Sequence, residues 1–223
     1  MPHACILDLD GTLANTLASI ASVSNRVLAH YGLSPQPVDA FRYFAGDGGR
    51  VLLERCFEAS GGNPGLLDEA ERLFRQWFAE RPLEGTTHYE GLPEALHALK
   101  DRGFHLAVCT NKPHAAAVKT VEGLFGPDLF DAVQGQVPEI PRKPAPDSAL
   151  LLARRMGVEP GDCLYVGDTN TDMETGRAAG MYTIGVLWGF RDRAELEAHH
   201  AQWIVERPAQ LLEAADRMAA GEL

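Results

Sequence analysis

The chain is 223 residues long, with few cysteines, no long apolar run and no surplus of positive charge, and each shortage closes off a class of protein. Its 4 cysteines are scattered and form no Cys-x-x-Cys pair, which argues against a thiolate metal site or a disulfide framework. Cys5, Cys109 and Cys163 fall in apolar, strand-like runs and Cys56 in a helical one, so small buried hydrophobes are expected. No apolar stretch approaches membrane-spanning length, and the N-terminus lacks a basic segment followed by a long apolar one. A cytoplasmic protein with no membrane partner is expected. Basic residues number 20 against 31 acidic ones, a net charge of −11, which disfavours nucleic acid and anionic surfaces as partners. An anionic ligand must therefore be drawn by local lysine, arginine or metal charge. Internal repeats and low-complexity segments are also missing. The 8 histidines show no metal spacing, and only His88 has a suggestive position, near an expected chain crossing. Hydrophobic content of 45% and charged content of 23% are ordinary for a globular protein with one large domain, or a core carrying an insertion.

The most informative stretch present is Asp8-Leu9-Asp10-Gly11-Thr12, directly after the apolar run Ala4-Cys5-Ile6-Leu7, which reads as a buried strand. Two carboxylates one residue apart at the carboxyl end of a strand sit where open parallel sheets bind ligands. They share a face if extension persists, and Gly11 then lets the backbone turn away. Such a pair can hold a divalent cation, attack an electrophile or move a proton. The plain alternative is a strand followed by an Asp-Gly turn. Three later stations weigh against it. Leu106-Ala107-Val108-Cys109, a second apolar run, ends at Thr110-Asn111-Lys112-Pro113. Arg142-Lys143-Pro144-Ala145-Pro146-Asp147 leads into a helical pattern, and Cys163-Leu164-Tyr165-Val166 ends at Gly167-Asp168-Thr169-Asn170-Thr171-Asp172. Carboxylates for Mg²⁺, with a hydroxyl and a lysine for phosphate oxygens, are what phosphoryl transfer requires.

Between the first two stations the pattern is helical. Leu17, Ile20, Val23, Val27, Leu28 and Tyr31 recur near a 3.6-residue period, from a cap at Asn15 or Thr16 to a stop at Gly32. Phe41 and Phe44, then Val51 to Phe57, then Ala70 to Phe78 give three more helices. From Gly91 onward, helices near 92–102, 114–124, 146–156, 172–179, 193–199 and 208–219 alternate with strands near 105–110, 132–136, 163–167, 183–187 and 203–206. That alternation predicts a parallel sheet with right-handed crossovers. The expected fold is α/β: a Rossmann-like core of residues 1–14 and 86–223, interrupted by a helical cap at 15–85. Hinges are expected where the chain crosses, near Leu13–Thr16 and Pro82–Gly91. A helical lid over the strand ends can exclude water during transfer.

On the motifs Asp8 to Thr12, Thr110 to Pro113, Lys143 to Pro146 and Gly167 to Asp172, the chain resembles the haloacid-dehalogenase superfamily of aspartate-nucleophile phosphatases. The likeness continues through Gly176-Arg177-Ala178-Ala179-Gly180 and Gly185-Val186-Leu187-Trp188-Gly189-Phe190, and is strongest to the phosphoglycolate-phosphatase-like branch. It implies a Mg²⁺-dependent phosphatase, monomeric or homodimeric, acting on a small phosphorylated metabolite. Asp8 would be the nucleophile and Asp10 the general acid and then base. Asp8 and Asp168 would hold Mg²⁺ together with the backbone carbonyl of Asp10. Asp172 would ligate it, hold its waters, orient Lys143, or simply complement a helix dipole. Thr110 and the N–H of Asn111 are expected on the phosphate, with Lys143 balancing charge and Lys112 either reaching substrate or facing water. Arg50 follows Gly46-Asp47-Gly48-Gly49, a loop similar to the branch's specificity loop, and is expected on a substrate carboxylate, or else exposed at a helix start.

Superfamily dehalogenases carry a non-acidic residue in the place of Asp10, so halide displacement is disfavoured. A phosphomutase of the β-phosphoglucomutase type shares the cap and the carboxylates, and neither Glu90 nor the cap loop separates it. A phospho-aspartate signalling module also uses Asp, Thr and Lys on a parallel sheet. The helical insertion, the length and Asp10 weigh against it.

Overall fold

The computed structural model describes residues 2–81 and 83–223. In chain order its elements begin with β1 (His3–Leu7) and β2 (Ala14–Asn15), followed by helices α1 (Leu17–His30), α2 (Phe41–Phe44), α3 (Gly49–Ala59) and α4 (Leu67–Glu80). The chain returns through β3 (Thr87–His88) to α5 (Leu92–Asp101), β4 (Phe104–Pro113), α6 (His114–Phe125), β5 (Ala132–Gln136) and α7 (Asp147–Met156). It ends with β6 (Cys163–Gly167), α8 (Asn170–Ala178), β7 (Tyr182–Val186), α9 (Arg193–Ala198), β8 (Trp203–Val205) and α10 (Leu211–Ala219).

Six strands form one sheet in the order β5-β4-β1-β6-β7-β8, every neighbouring pair parallel. Side-chain alternation explains its two covered faces. Cys5 and Leu7 of β1 pack in one layer with Leu96 and Leu99 of α5 and Ala214 and Met218 of α10. Ala4 and Ile6 face the other way, onto Ala149 and Leu152 of α7. The strand order runs outward from β1 in both directions, so the crevice at its carboxyl end is the ligand position of an open α/β sheet. The parallel sheet with α/β alternation agrees with the sequence reading.

Helices α1 to α4 follow one another without an intervening strand, and their apolar faces form a separate cluster around Leu28, Phe41, Leu53, Phe57 and Phe74. Three details differ from expectation. Thr16 precedes α1 but makes no capping hydrogen bond, so burial of Leu17, Ile20, Val27 and Leu28 carries that helix start. Strand β4 runs past residue 110 to Pro113, because a register shift after Cys109 lets Pro113 pair with Gln136. The two crossings between the helices and the sheet pair antiparallel as β2 and β3, through Ala14 with His88 and Asn15 with Thr87. Pro82, the first residue of the second expected hinge, lies outside the described residues. Among the described residues no helix is long and apolar enough to cross a membrane.

Candidate active site

Strand β1 lies between β4 and β6, so the residues that end these three strands converge on one crevice. Asp8, Asp168 and Asp172 each bring a carboxylate oxygen within 4.8 Å of the other two, and all three residues are buried. Lys143 reaches in from the chain before α7. Its Nζ donates to Asp8 Oδ1 at 2.8 Å, to Asp172 Oδ1 at 2.7 Å and to the Cys109 carbonyl at 3.1 Å.

One ammonium thus bonds two of three clustered, buried carboxylates, and the imbalance shows in the proton affinities of Asp8 and Asp168. Burial pushes Asp8 up to about 7, against the pull of Lys143 and with further upward pressure from Asp172. Asp168 is driven well above the usual carboxylate range by burial first, then by Asp172 and Asp8. Burial works against the charge of Lys143, yet Asp172 and Asp8 together hold its affinity for a proton well above that of an ordinary lysine. Surplus negative charge in a dry pocket, carried by oxygen donors, fits a divalent cation such as Mg²⁺.

Neighbours fix each carboxylate. Thr12 Oγ1 and the Phe190 N–H donate to opposite oxygens of Asp168, both at 2.8 Å. Gly11 makes this approach possible: its φ is +92°, and a Cβ there would fall 2.2 Å from Asp168 Oδ2. Gly189 is pressed as closely, 2.3 Å from the Asp168 Cβ by the same construction. Asp172 stands at the third position of α8 in a capping box with Thr169. Its Oδ2 takes the Thr169 hydroxyl at 2.7 Å while Oδ1 takes Lys143, so the helix-start role and the lysine-orienting role use different oxygens.

Asp10 stands apart from that cluster. Extension stops at Leu7, and the carboxylate of Asp10 turns to Lys112, whose Nζ donates to Oδ1 at 2.8 Å. Even so, Asp8 and Asp10 both line one cavity of about 230 Å³, together with Thr110, Asn111 and Lys112 from β4. Phe74 and Phe78 of α4, with Gly48 and Arg50, close it from the helical side. Thr110 is buried, and its hydroxyl accepts the Lys112 N–H at 3.2 Å. Arg50 reaches the cavity wall, but its guanidinium is paired with Glu54, Asp68 and Glu71 rather than aimed at the carboxylate cluster. Arg142, also on the wall, has no carboxylate within 4.0 Å among the described residues; it reaches only the Asp47 carbonyl, at 3.4 Å. His88 bonds to its own neighbour Tyr89 and does not line the cavity. All four cysteines are free and buried, as expected.

Several contacts were not readable from residue types. Asn111 was expected to offer its backbone N–H; its side chain also pins both the backbone of Lys143 and the Gly46 carbonyl, at 2.9 to 3.2 Å. Arg191 donates to the Ala45 carbonyl at 2.9 Å, Thr171 to Asp47 Oδ1 at 2.8 Å, and Arg42 to the Gly189 carbonyl at 2.9 Å. The first two bonds fasten the loop before α3, and the third fastens α2, to the segments that follow β6 and β7. In the sequence, Gly46–Arg50 and Gly185–Phe190 stand out as motifs, but residue types alone give the second no role.

Comparison with known proteins agrees with this geometry. The family model described as haloacid dehalogenase-like hydrolase matches residues 5–186. A phosphoglycolate phosphatase of Rhodospirillum rubrum is 37% identical over 198 residues, which is 85% of this chain and 81% of the relative. A solved structure from Lactobacillus delbrueckii subsp. bulgaricus, provisionally named a phosphoglycolate phosphatase, superposes with a TM-score of 0.91 at 30% identity, over 96% of this chain and 99% of that one. Another, from Thermotoga maritima and provisionally named a beta-phosphoglucomutase, superposes with a TM-score of 0.73 at 26% identity, over 96% and 99% of the two chains. A match over most of the sequence, a parallel sheet in this order and three clustered aspartates at its strand ends lead to one conclusion: the chain belongs to the haloacid dehalogenase-like hydrolase family, in its phosphoglycolate-phosphatase-like branch.

Proposed function

We propose that this phosphatase hydrolyses a small phosphomonoester with Mg²⁺, phosphoglycolate being the candidate, through an aspartyl-phosphate on Asp8. The observation that carries the reading is the Lys143 ammonium shared by Asp8 and Asp172 beside a third buried aspartate, Asp168. Lys143 engages Oδ1 of Asp8, which leaves Oδ2 to attack phosphorus. As the new O–P bond forms, the ester P–O bond breaks, and Asp10 gives its proton to the departing alkoxide. Asp10 then takes a proton from water, whose oxygen attacks the phosphorus on Asp8, releasing inorganic phosphate and restoring the carboxylate. Thr110 Oγ1 and the Asn111 N–H grip the phosphate, and Asp172 keeps Lys143 aimed. Asp8, Asp168 and the Asp10 carbonyl would hold Mg²⁺, with Asp172 beside them. When bound, the ion neutralises the crowded carboxylate and phosphate charge. Arg50 could take a substrate carboxylate only in competition with Glu54, Asp68 and Glu71.

Residues 15–85 act in this reading as a cap, hinging at the paired crossings β2 and β3 and closing the cavity from water. The bonds from Asn111, Thr171 and Arg191 to the Ala45–Asp47 loop support such a closed form. Four buried free thiols are compatible with a cytoplasmic setting.

The test is phosphate release from a panel of phosphorylated metabolites, phosphoglycolate included. Release with Mg²⁺ that is lost in excess EDTA is expected. Undiminished turnover in EDTA would reject the metal. Interconversion of sugar phosphates without net phosphate release would favour the mutase instead, and stable self-phosphorylation with no turnover would favour a signalling module.

A second readout does not need turnover. The affinity of Asp8 for its proton is raised from 3.8 to about 7 by folding, so the folded protein binds that proton more tightly than the unfolded chain. The stability this contributes is full below pH 4 and is lost as pH rises through about 7. Without metal, Tm should therefore fall between pH 5 and pH 8, and Mg²⁺ should raise it by several degrees more at pH 8 than at pH 5. Equal metal-induced shifts at both pH values, read by differential scanning fluorimetry, would contradict the assignment of the ion to Asp8 and Asp168.

A further inference from the structure

Lys112 makes three contacts that no phosphate-binding role explains. Its side chain is only 5% exposed, and its Nζ lies 2.8 Å from Asp10 Oδ1 on the strand-end side of the cavity. The same ammonium sits 4.3 Å from the centroid of the Phe78 ring, which α4 presents from the opposite side. Its backbone N–H donates to Thr110 Oγ1. A buried ammonium needs a carboxylate or an aromatic face to offset lost hydration, and Lys112 has one of each, on two different parts of the chain.

We infer that Lys112 is a positioning residue that couples closure of the helical segment to the aim of Asp10. With Phe78 over it, the ammonium is held in place and fixes Oδ1 of Asp10, leaving Oδ2 free for the oxygen that gains or loses the proton. When α4 moves away, the aromatic cover is lost, the ammonium turns to water and Asp10 is released from its aim. Proton transfer is then confined to the closed form, in which the cavity also excludes solvent. This inference rests on the proposed role of Asp10 in ester hydrolysis.

The test compares Lys112→Met, Lys112→Arg and Phe78→Leu on an alkyl phosphate and on an aryl phosphate. Misaiming an acid by a fraction of an ångström to an ångström lowers rate by up to about 10²-fold. Lys112→Met should therefore lower kcat for the alkyl ester by about 10²-fold with KM within about twofold, and should slow phosphoenzyme formation from the aryl ester far less. Phe78→Leu keeps an apolar side chain but removes the ring, and should lower kcat in the same direction by about tenfold. The double variant should be no slower than Lys112→Met alone, since the ring acts through the ammonium. Arginine can pair with a carboxylate and stack on an aromatic face, so Lys112→Arg should recover part of the loss.

A rise in KM with kcat retained would mean that Lys112 grips substrate, and would overturn the coupling. Equal losses in phosphoenzyme formation from both esters, or a Phe78→Leu enzyme that matches wild type, would overturn it too. Should Lys112→Met not fold, by its Tm, the kcat against KM split in Phe78→Leu decides alone. The two readings fail separately: activity surviving in Asp8→Asn would defeat the proposed function. Normal Lys112 and Phe78 variants beside an inactive Asp8→Asn would defeat only the coupling.

Discussion

Asp8→Asn is expected to lower phosphate release by at least about 10⁴-fold, the scale on which enzymes lose turnover when a nucleophile is removed. An amide oxygen can still accept the Lys143 hydrogen bond that Asp8 Oδ1 accepts at 2.8 Å, so the local geometry has no cause to collapse. What disappears is the negative charge that attacks phosphorus in the proposed reaction. The same substitution should act on stability with the opposite sign. Asp8 is one of three clustered buried carboxylates, of which Lys143 bonds two, and burial already pushes its proton affinity up to about 7. Removing that charge relieves the crowding, so metal-free Asp8→Asn should melt at or above the wild-type Tm near pH 8. Its Tm should also respond less to Mg²⁺, because one of the proposed ligands is weakened. Steady-state phosphate release and scanning fluorimetry on the same preparation give both signs. An inactive variant that also unfolds would assign Asp8 to the fold, and more than about 1% residual turnover would remove it from the chemistry.

How much of this was legible beforehand depends on how local each feature is. Asp8, Thr110 and Asp168 could be placed together because each directly follows or sits within an apolar strand run, and parallel strands end on one side of a sheet. The alternation after Gly91 is equally local, a switch between periods of 3.6 and 2. Lys143 has no strand to announce it, and its place depended on motif order. The contacts that tune the site are tertiary. Thr12 and the Phe190 N–H meet on Asp168 across sequence separations of 156 and 22 residues. Nothing in the types Thr and Phe marks them for that task. The β2–β3 pairing joins two dipeptides whose composition says nothing about strand. Arg50 illustrates the converse: its position beside a glycine loop drew attention, while its three acidic partners come from its own helix and from the start of α4. Spacing predicts which residues approach the cavity more reliably than it predicts what their charges do there.

Asp10 offers the sharpest separation of the two half-reactions. It lines the cavity with Asp8, yet its carboxylate is outside the buried aspartate cluster and pairs with Lys112 instead. Those surroundings fit a group that moves protons better than one that holds metal through its side chain. If Asp10 gives a proton to the leaving group and later takes one from water, Asp10→Asn must slow both formation and breakdown of the Asp8 phosphoenzyme. An aryl phosphate leaves with little need for protonation, so formation should recover on that substrate while breakdown stays slow. Phosphoenzyme should then accumulate, trapped by acid quench and released by hydroxylamine. General acid–base assistance contributes about 10²–10⁴-fold, so alkyl ester turnover should fall by that factor and the trapped fraction should approach one label per chain. On the aryl ester a burst of phenol equal to the enzyme concentration should precede a slow steady state. Loss of equal size on alkyl and aryl esters, with no trapped intermediate, would leave Asp10 only a supporting part through its backbone and Lys112.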